Sequence, residues 1–333
     1  MYSTSCSKQT DYLFALGTGL LLLCFACAVC TGGSGITIQQ ALHSLIGQDE
    51  GNAGLIVRSV RLPRAVAAAV SGSALAVSGL LLQTALGNPL SSPSILGVNS
   101  GAGLLVLLSS VLFPFSVFGK AIAALLGALL ATAAVLLIAQ KAGASRSTLI
   151  LAGVAVSAVF SALTNLLVFL FPEAVNDKTA FQLGSFAGVN SRQLLFAAVL
   201  IVCGIIGAYL LSGGLELFAL GDETAQSLGL NVKRHRLLAV LCACVLAGAA
   251  VSLCGLVSFV GLIVPNMIRL VCKDVKVSVR LCCVWGAFFL LFCDYLSRIL
   301  FYPFEIPVGI LLSLLGAPFF IWLLMRRRRH AYA

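Results

Sequence analysis

Ten apolar runs, most of them close to twenty residues, follow one another along the chain with short polar breaks between them. They fall at about 12–31, 62–86, 92–112, 119–140, 147–171, 192–212, 236–257, 259–272, 278–300 and 306–325. Wound as a helix, a run of ~20 residues crosses the hydrocarbon core of a bilayer. Of the 333 residues, 60% are apolar and 10% charged, with a mean hydropathy of +1.08; soluble domains carry roughly 25% charged residues. The sequence therefore predicts an all-α, polytopic membrane protein of about ten transmembrane helices, a single domain over 1–333, and excludes an ordinary soluble enzyme. The eighth run is short, with Gly261 inside it and Pro265 late in it. It predicts a half-helix whose freed backbone groups are met by neighbouring protein. The 32 glycines suit close helix packing in lipid.

The first run, Tyr12 to Cys30, contains Ala26-Cys27-Ala28, a pattern a signal peptidase could cut, but its length favours a retained helix. Nearly all of the twelve Cys lie in apolar runs, where Cys behaves as a small hydrophobe. The C-x-x-C-x-x-C spacing of Cys24, Cys27 and Cys30 is read the same way, because no polar loop surrounds it to fold about a metal. His43, His235 and His330 are too scattered to supply a metal site.

With the N-terminus inside, fourteen of the 21 Lys and Arg fall on the inner side, among them Lys8, Arg146, Arg236, Arg269 and the Arg326–Arg329 tail. Arg58, Arg61, Arg64, Lys120, Lys178, Arg192 and Arg298 fall outside. This bias fits the orientation, and it attributes the net charge of +10 to topology and not to nucleic acid. The basic tail reads as an anchor against anionic lipid. The three arginines at 58–64 run against the bias and need a reason of their own. Gly79-Leu80 precedes Pro89 by the interval at which Gly255-Leu256 precedes Pro265, in segments of opposite direction, as inverted repeats would.

No G-x-x-x-x-G-K-[ST] occurs, so the chain does not hydrolyse a nucleotide by itself, and no catalytic set can be assembled. The acids gather near span ends: Asp49, Glu50, Glu173, Asp177, Glu216, Asp222, Glu223, Asp274 and Glu305. Asp294 alone lies within an apolar run, which makes it the single candidate for coupling to an ion. A pore with neither its own ATPase nor an ion gradient must be driven by a partner. The longest inner loop, 213–235, reads GGLELFALGDETAQSLGLNVKRH. It predicts a short helix with Asp222 as N-cap and Gly229 as terminator, whose Leu220, Ala225 and Leu228 form an apolar face too small to bury alone. Such a helix suits a groove on a soluble partner; a solvated loop helix with no partner is the alternative.

This loop resembles the coupling segment of the permease subunits of bacterial ABC importers for ferric siderophores, haem and cobalamin, the FecCD-type permeases. Further segments follow in the family's order: RLPR at 61–64, GLLLQTALGNPLSSPSILGVNSGAG at 79–103, LILAGVAVSAVFSALTN at 149–165, GLVSFVGLIVPNMIRL at 255–270 and EIPVGILLSLLGAPFFIWLL at 305–324. The resemblance implies a type II ABC importer permease fold in the cytoplasmic membrane, with both termini cytoplasmic. It implies a homodimer, or a heterodimer with a sister permease, served by two cytoplasmic ATPase subunits and an extracytoplasmic substrate-binding protein. ATP and Mg would belong to the ATPase, and this chain would bind no cofactor and be no enzyme. A ferric siderophore is the implied cargo, with haem or cobalamin as alternatives and an ion-coupled secondary transporter as the contrasting class.

Residue by residue, the resemblance implies that 216–230 docks the ATPase, through Leu220, Gly221, Asp222, Glu223, Ala225, Leu228 and Gly229. Arg61, Arg64 and Arg298 match outer-face arginines that pair with glutamates of the binding protein, which gives the misplaced charges a reason. Ser145, Arg146, Ser147 and Thr148 lie where related permeases narrow the inner end of the path, as a gate or as ordinary loop residues; from their chemistry, Thr164 and Asn165 either line a wet path or bond to neighbouring helices. Asn88-Pro89 and Pro265 would set helix ends, and Pro318 would kink the last span. Asn266, Leu256 and Cys293 depart from the family's usual pattern.

Overall fold

The computed structural model describes residues 2–32, 37–46, 51–113, 116–143, 145–301 and 303–331. Asp49 and Glu50 lie outside the described residues, as do the side chains of Lys8 and Arg326–Arg329. Fourteen α-helices are described: α1 (Tyr2–Cys30), α2 (Ile38–Ile46), α3 (Asn52–Ile56), α4 (Leu62–Ala85), α5 (Val98–Leu112), α6 (Val117–Lys141), α7 (Arg146–Leu170), α8 (Val175–Leu183), α9 (Ser191–Leu217), α10 (Asp222–Ser227), α11 (Val232–Cys254), α12 (Val260–Arg269), α13 (Val275–Ile299) and α14 (Val308–Ala331). A π-helical turn, Val57–Arg61, joins α3 to α4. Seven of these stretches are long and apolar enough to cross a membrane, and Val98–Leu112, Val260–Arg269 and Val308–Ile321 are shorter apolar helices. Together they occupy the ten expected positions.

The boundaries differ where local chemistry intervenes. The third run does not begin as a helix at 92: Pro93 starts a 3-10 turn, Pro93–Leu96, and α5 begins only at Val98. The seventh ends at Cys254 and not at 257, because Gly255 leaves the helical region with φ +70°. The sixth continues through Gly213 and Gly214 to Leu217, so the inner loop is shorter than the composition predicts. The small helices α2, α3 and α8 carry no apolar run and were not predicted. The repeated Gly-Leu…Pro interval has no local counterpart: Gly79 is inside α4 whereas Gly255 ends α11, and Pro89 lies in a loop whereas Pro265 lies inside α12.

The core is built around α4 and α11, whose apolar stretches are mostly buried, whereas α7 and α9 are mostly exposed. The sequence of α4 explains its place. Ala, Gly and Ser surround the helix, so neighbours approach on several sides without side chains between them. Its hydroxyls bond to the backbones they meet: Ser73 Oγ donates to Cys283 O at 2.7 Å and Ser78 Oγ to Ala243 O at 2.6 Å.

The half-helix α12 shows how a broken span is completed. Pro265 has no N–H, so the carbonyl of Gly261, four residues earlier, loses its helical donor. Gln83 Nε2 of α4 donates to that carbonyl at 3.0 Å. Asn266 Nδ2 donates to Pro89 O at 3.0 Å, tying α12 to the loop after α4. Opposite, Leu256 N donates to Phe181 O at 2.9 Å and Ser185 N to Cys254 O at 2.8 Å, so the break before α12 is covered by the chain around α8.

The α4–α12 crossing depends on two glycines, since a Cβ at Gly79 would overlap the carbonyl of Gly261. We expect Gly79→Val to abolish a monodisperse, folded protein in detergent. Gly19→Val, where a Cβ meets nothing within 4 Å, should leave the elution profile unchanged; equal behaviour of the two would contradict this packing.

Candidate functional site

Two charge clusters stand at opposite ends of α4. At its start, Asp294 is completely buried on α13 in an otherwise apolar stretch. Arg64 grips it with two groups, Nη2 to Oδ1 at 3.0 Å and Nε to Oδ1 and Oδ2 at 3.1 and 3.2 Å. The third nitrogen of Arg64, Nη1, reaches Glu305 Oε2 at 2.7 Å. Arg298 stands one turn after Asp294, its Nε 3.5 Å from Oδ2. Arg298 Nη1 donates to Ala28 O at 3.2 Å, and Arg61 Nη1 to Val29 O at 3.1 Å. Both carbonyls belong to the last turn of α1, where cations complement the helix dipole and its unpaired acceptors.

The pairing bears on two readings of the sequence. Arg61, Arg64 and Arg298 are only 5–6% exposed, and each makes hydrogen bonds inside the chain. Asp294 is not an isolated acid available for ion coupling; its charge is matched by Arg64 and Arg298. The physical reason is common to both. A charge within a span is stable only when it is paired there.

At the other end of α4 lies the segment around α10. Gly221, with no side-chain bond, occupies the N-cap position, and Asp222 is the first helical residue, one place later than predicted. Its carboxylate is used differently: Oδ1 accepts from Arg146 Nη2 at 2.6 Å and Oδ2 from Arg236 Nη2 at 2.7 Å. Arg236, near the start of α11, also donates through Nε to Ala85 O at 3.0 Å and lies over the Phe218 ring, 5.4 Å from its centroid. Burial raises the Asp222 pKa, but the hydrogen bonds and charges of Arg236 and Arg146 outweigh it and hold the carboxyl below its ordinary value.

The predicted terminator is in place. Gly229, with φ +88°, ends α10 with N–H bonds from Gly229 to Gln226 O at 3.0 Å and from Leu230 to Ala225 O at 3.1 Å. The predicted apolar face is divided. Ala225 is fully buried against the body, while Leu220 and Leu228 are 58% and 60% exposed. Glu223 is exposed beside them.

The turn before α7 is a capping structure. Ser145 Oγ accepts from Thr148 N at 3.1 Å and lies 2.7 Å from Thr148 Oγ1. Ser147 is exposed, and Arg146 reaches across to α10. Farther along α7, Thr164 and Asn165 line a cavity of about 290 Å³ between α5, α7 and α8. Its other polar walls include Asn99, Ser157, Ser161 and Lys178. Lys178 Nζ donates to Asn165 Oδ1 at 3.1 Å, while Thr164 Oγ1 turns back to Phe160 O at 2.8 Å.

Sequence reasoning missed the pairing roles of Gln83, Arg236, Asp294 and Glu305. One signal was present. Arg146 is the first residue of α7, where the dipole favours anions, so a nearby acid is favourable there. The same holds for Arg64, likewise near a helix start.

The geometry is that of a multi-pass helical transport subunit, with a polar cavity between α5, α7 and α8 and a short exposed helix fixed to the ends of its spans. Residues 20–326 match the FecCD transport family, and the chain belongs to that family. It is 34% identical over 331 residues to the Fe(3+)-citrate import system permease protein YfmD of Bacillus subtilis (strain 168), covering 98% of this chain and 99% of that one. It is 36% identical over 278 residues to the hemin transport system permease protein HmuU of Yersinia pestis, covering 81% and 83%. A solved structure of a metal-chelate type ABC transporter in an inward-facing conformation superposes with a TM-score of 0.84 at 30% identity, covering 95% of this chain and 99% of the other. The chain is thus a permease subunit of the ABC transporter class, a transport component and not an enzyme.

Two outcomes follow from the charge clusters. Asp294→Ala leaves Arg64 and Arg298 buried without their shared counter-charge, and we expect a loss of about 3–5 kcal/mol, read as a large fall in the thermal midpoint of the purified protein. An unchanged midpoint would contradict the pairing. For Asp222, a folded-state pKa below the unfolded one means that its contribution is complete above about pH 4 and is lost as pH falls through the lowered value. A fluorophore at Gln226 should therefore report seating of α10 from neutral pH down to that range, with release below it. Asp222→Asn should abolish the acid transition.

Proposed function

We propose that this permease imports a ferric chelate, handed over by an extracytoplasmic binding protein and driven by cytoplasmic ATPase subunits. The observation that carries the reading is α10: a helix too short to stand alone, anchored by Ala225 and Asp222, which displays Leu220, Leu228 and Glu223 outward. That pattern suits insertion into a groove of a soluble partner. A ferric chelate is favoured over haem because the likeness to the Fe(3+)-citrate permease extends over almost the whole of both chains, that to the hemin permease over about four fifths. Pairing of Asp294 inside the chain argues against an ion-coupled secondary transporter.

In this reading the side carrying α10 is cytoplasmic, with both termini, and the Arg64–Asp294 cluster lies near the outer face. Two such permeases, identical or sister chains, enclose the path, and Thr164 and Asn165 border it. The outer arginines take a changed role. Arg58 is exposed and can meet an acidic binding protein directly, whereas Arg64 becomes available only where an incoming carboxylate replaces Glu305. The ATPase supplies the ATP and Mg chemistry. The 145–148 turn orders the inner end of α7 and so shapes the inner mouth.

The test is reconstitution with candidate ATPase and binding proteins, followed by uptake of labelled ferric citrate, ferric hydroxamate, haemin and cobalamin side by side. Glu223→Lys combined with Leu220→Ser and Leu228→Ser should reduce co-purification of the ATPase by about tenfold or more, a loss of ~1.4 kcal/mol of binding. Asp222 is left intact, because its carboxylate is engaged within the chain. Undiminished co-purification, or uptake without ATP, would refute the reading.

A further inference from the structure

Asp222 joins three helix starts and one helix end. It opens α10; its Oδ2 is held by Arg236 at the start of α11, which also holds Ala85 O at the end of α4. Its Oδ1 is held by Arg146, the first residue of α7. The two arginines are not equivalent. Arg236, on α11, is 3% exposed and is fixed by the Ala85 carbonyl of α4, the Phe218 ring and the carboxylate. The Arg146 side chain is 35% exposed, and Nη2 makes its bond to Asp222, while Nε is buried with no hydrogen-bond partner among the described residues. Behind it stands Gly87, whose missing Cβ leaves room for the guanidinium.

Its helix differs as well. Only Leu149, Ala152, Gly153, Val156 and Thr164 are buried along α7, yet Ser157, Ser161, Thr164 and Asn165 on it line the polar cavity. The helix that shapes the cavity therefore presents most of its surface away from this chain's core, and at its inner end one charged bond ties it to α10.

We propose that Asp222 is the positioning residue that carries displacement of α10 to α7, with Arg236 as the fixed seat and Arg146 as the moving arm. This rests on the reading that α10 docks the driving ATPase. A shift of α10 would pull the Arg146 end of α7 and reshape the cavity wall, while α4 and α11 stay in place. An ion pair suits such a link: it is directional, and a small rotation about the carboxylate does not break it.

The experiment uses the complete permease–ATPase complex in proteoliposomes with wild type, Arg146→Gln and Arg146→Lys. For Arg146→Gln we expect ATPase co-purification and ATP hydrolysis to persist, and uptake per ATP hydrolysed to fall by about fivefold or more. Arg146→Lys, whose ammonium still reaches Oδ1, should recover most of that ratio. Spin labels at Gln226 and Ser147 give a second readout. Their separation should stay constant between nucleotide-free and nucleotide-bound wild type, and should vary between those states in Arg146→Lys only slightly. An unchanged uptake ratio in Arg146→Gln, or a label separation that changes through the wild-type cycle, overturns the link while leaving the docking reading intact. Failure of the wild-type chain to retain the ATPase overturns both.

Discussion

A bilayer offers no water to a buried charge or a broken backbone, so every such group in this chain has to be answered by another part of the chain. That constraint explains contacts far apart in sequence. Pro265 frees the Gly261 carbonyl, and Gln83, 178 positions away, meets it. Asp294 would be untenable alone on α13, and Arg64, 230 positions away, is its counter-charge. The last carbonyls of α1 are met by Arg61 and Arg298. Most of these ties run to α4 or to its ends, which is why a helix composed largely of Ala, Gly and Ser forms the centre of the molecule.

The same constraint separates the inner helices from the outer ones. Helices α4, α11, α12 and α13 are joined by backbone-directed bonds from Ser73, Ser78 and Gln83 and by close glycine contacts, which allow little sliding. By contrast α7 and α9 present long side chains outward, as Leu151, Phe169, Leu195 and Leu210 do. In a transport subunit, a tightly tied core next to helices that present one face outward lets a local force move one wall of a cavity and not the whole bundle.

Much of this was legible in the sequence, for reasons that can be named. Span positions follow from apolar length, which the bilayer imposes directly, and the half-helix at 260–269 follows from Gly261 and Pro265. The end of α10 follows from Gly229, because a left-handed terminator is a local requirement. What was not legible is pairing across distance. Nothing near Asp294 in sequence announces Arg64, so an acid in an apolar run reads as an ion site. The resemblance gave the arginines at 61 and 64 a role at the outer face, and their internal partners were equally invisible in the sequence. Asp222 looked like an N-cap because acids favour that position; the demand of Arg146 and Arg236 for a counter-charge took precedence. Division of the α10 face, with Ala225 inward and two leucines outward, depends on which neighbour the helix meets.

The placement of Arg146 shows why local cost can mark function. A cation at the first position of a helix opposes the helix dipole, by about 0.3–1 kcal/mol at an exposed site. Helix α7 already has its capping group in Ser145, so Arg146 is not needed to start it. The residue also demands an unencumbered backbone at Gly87 and leaves its Nε without a partner. What it gains is a single short bond to Asp222, which already has a counter-charge in Arg236 and does not need a second for its own solvation. A structural bond with those costs on one side and little necessity on the other is explained by what it connects. It joins the exposed helix to the cavity-lining span.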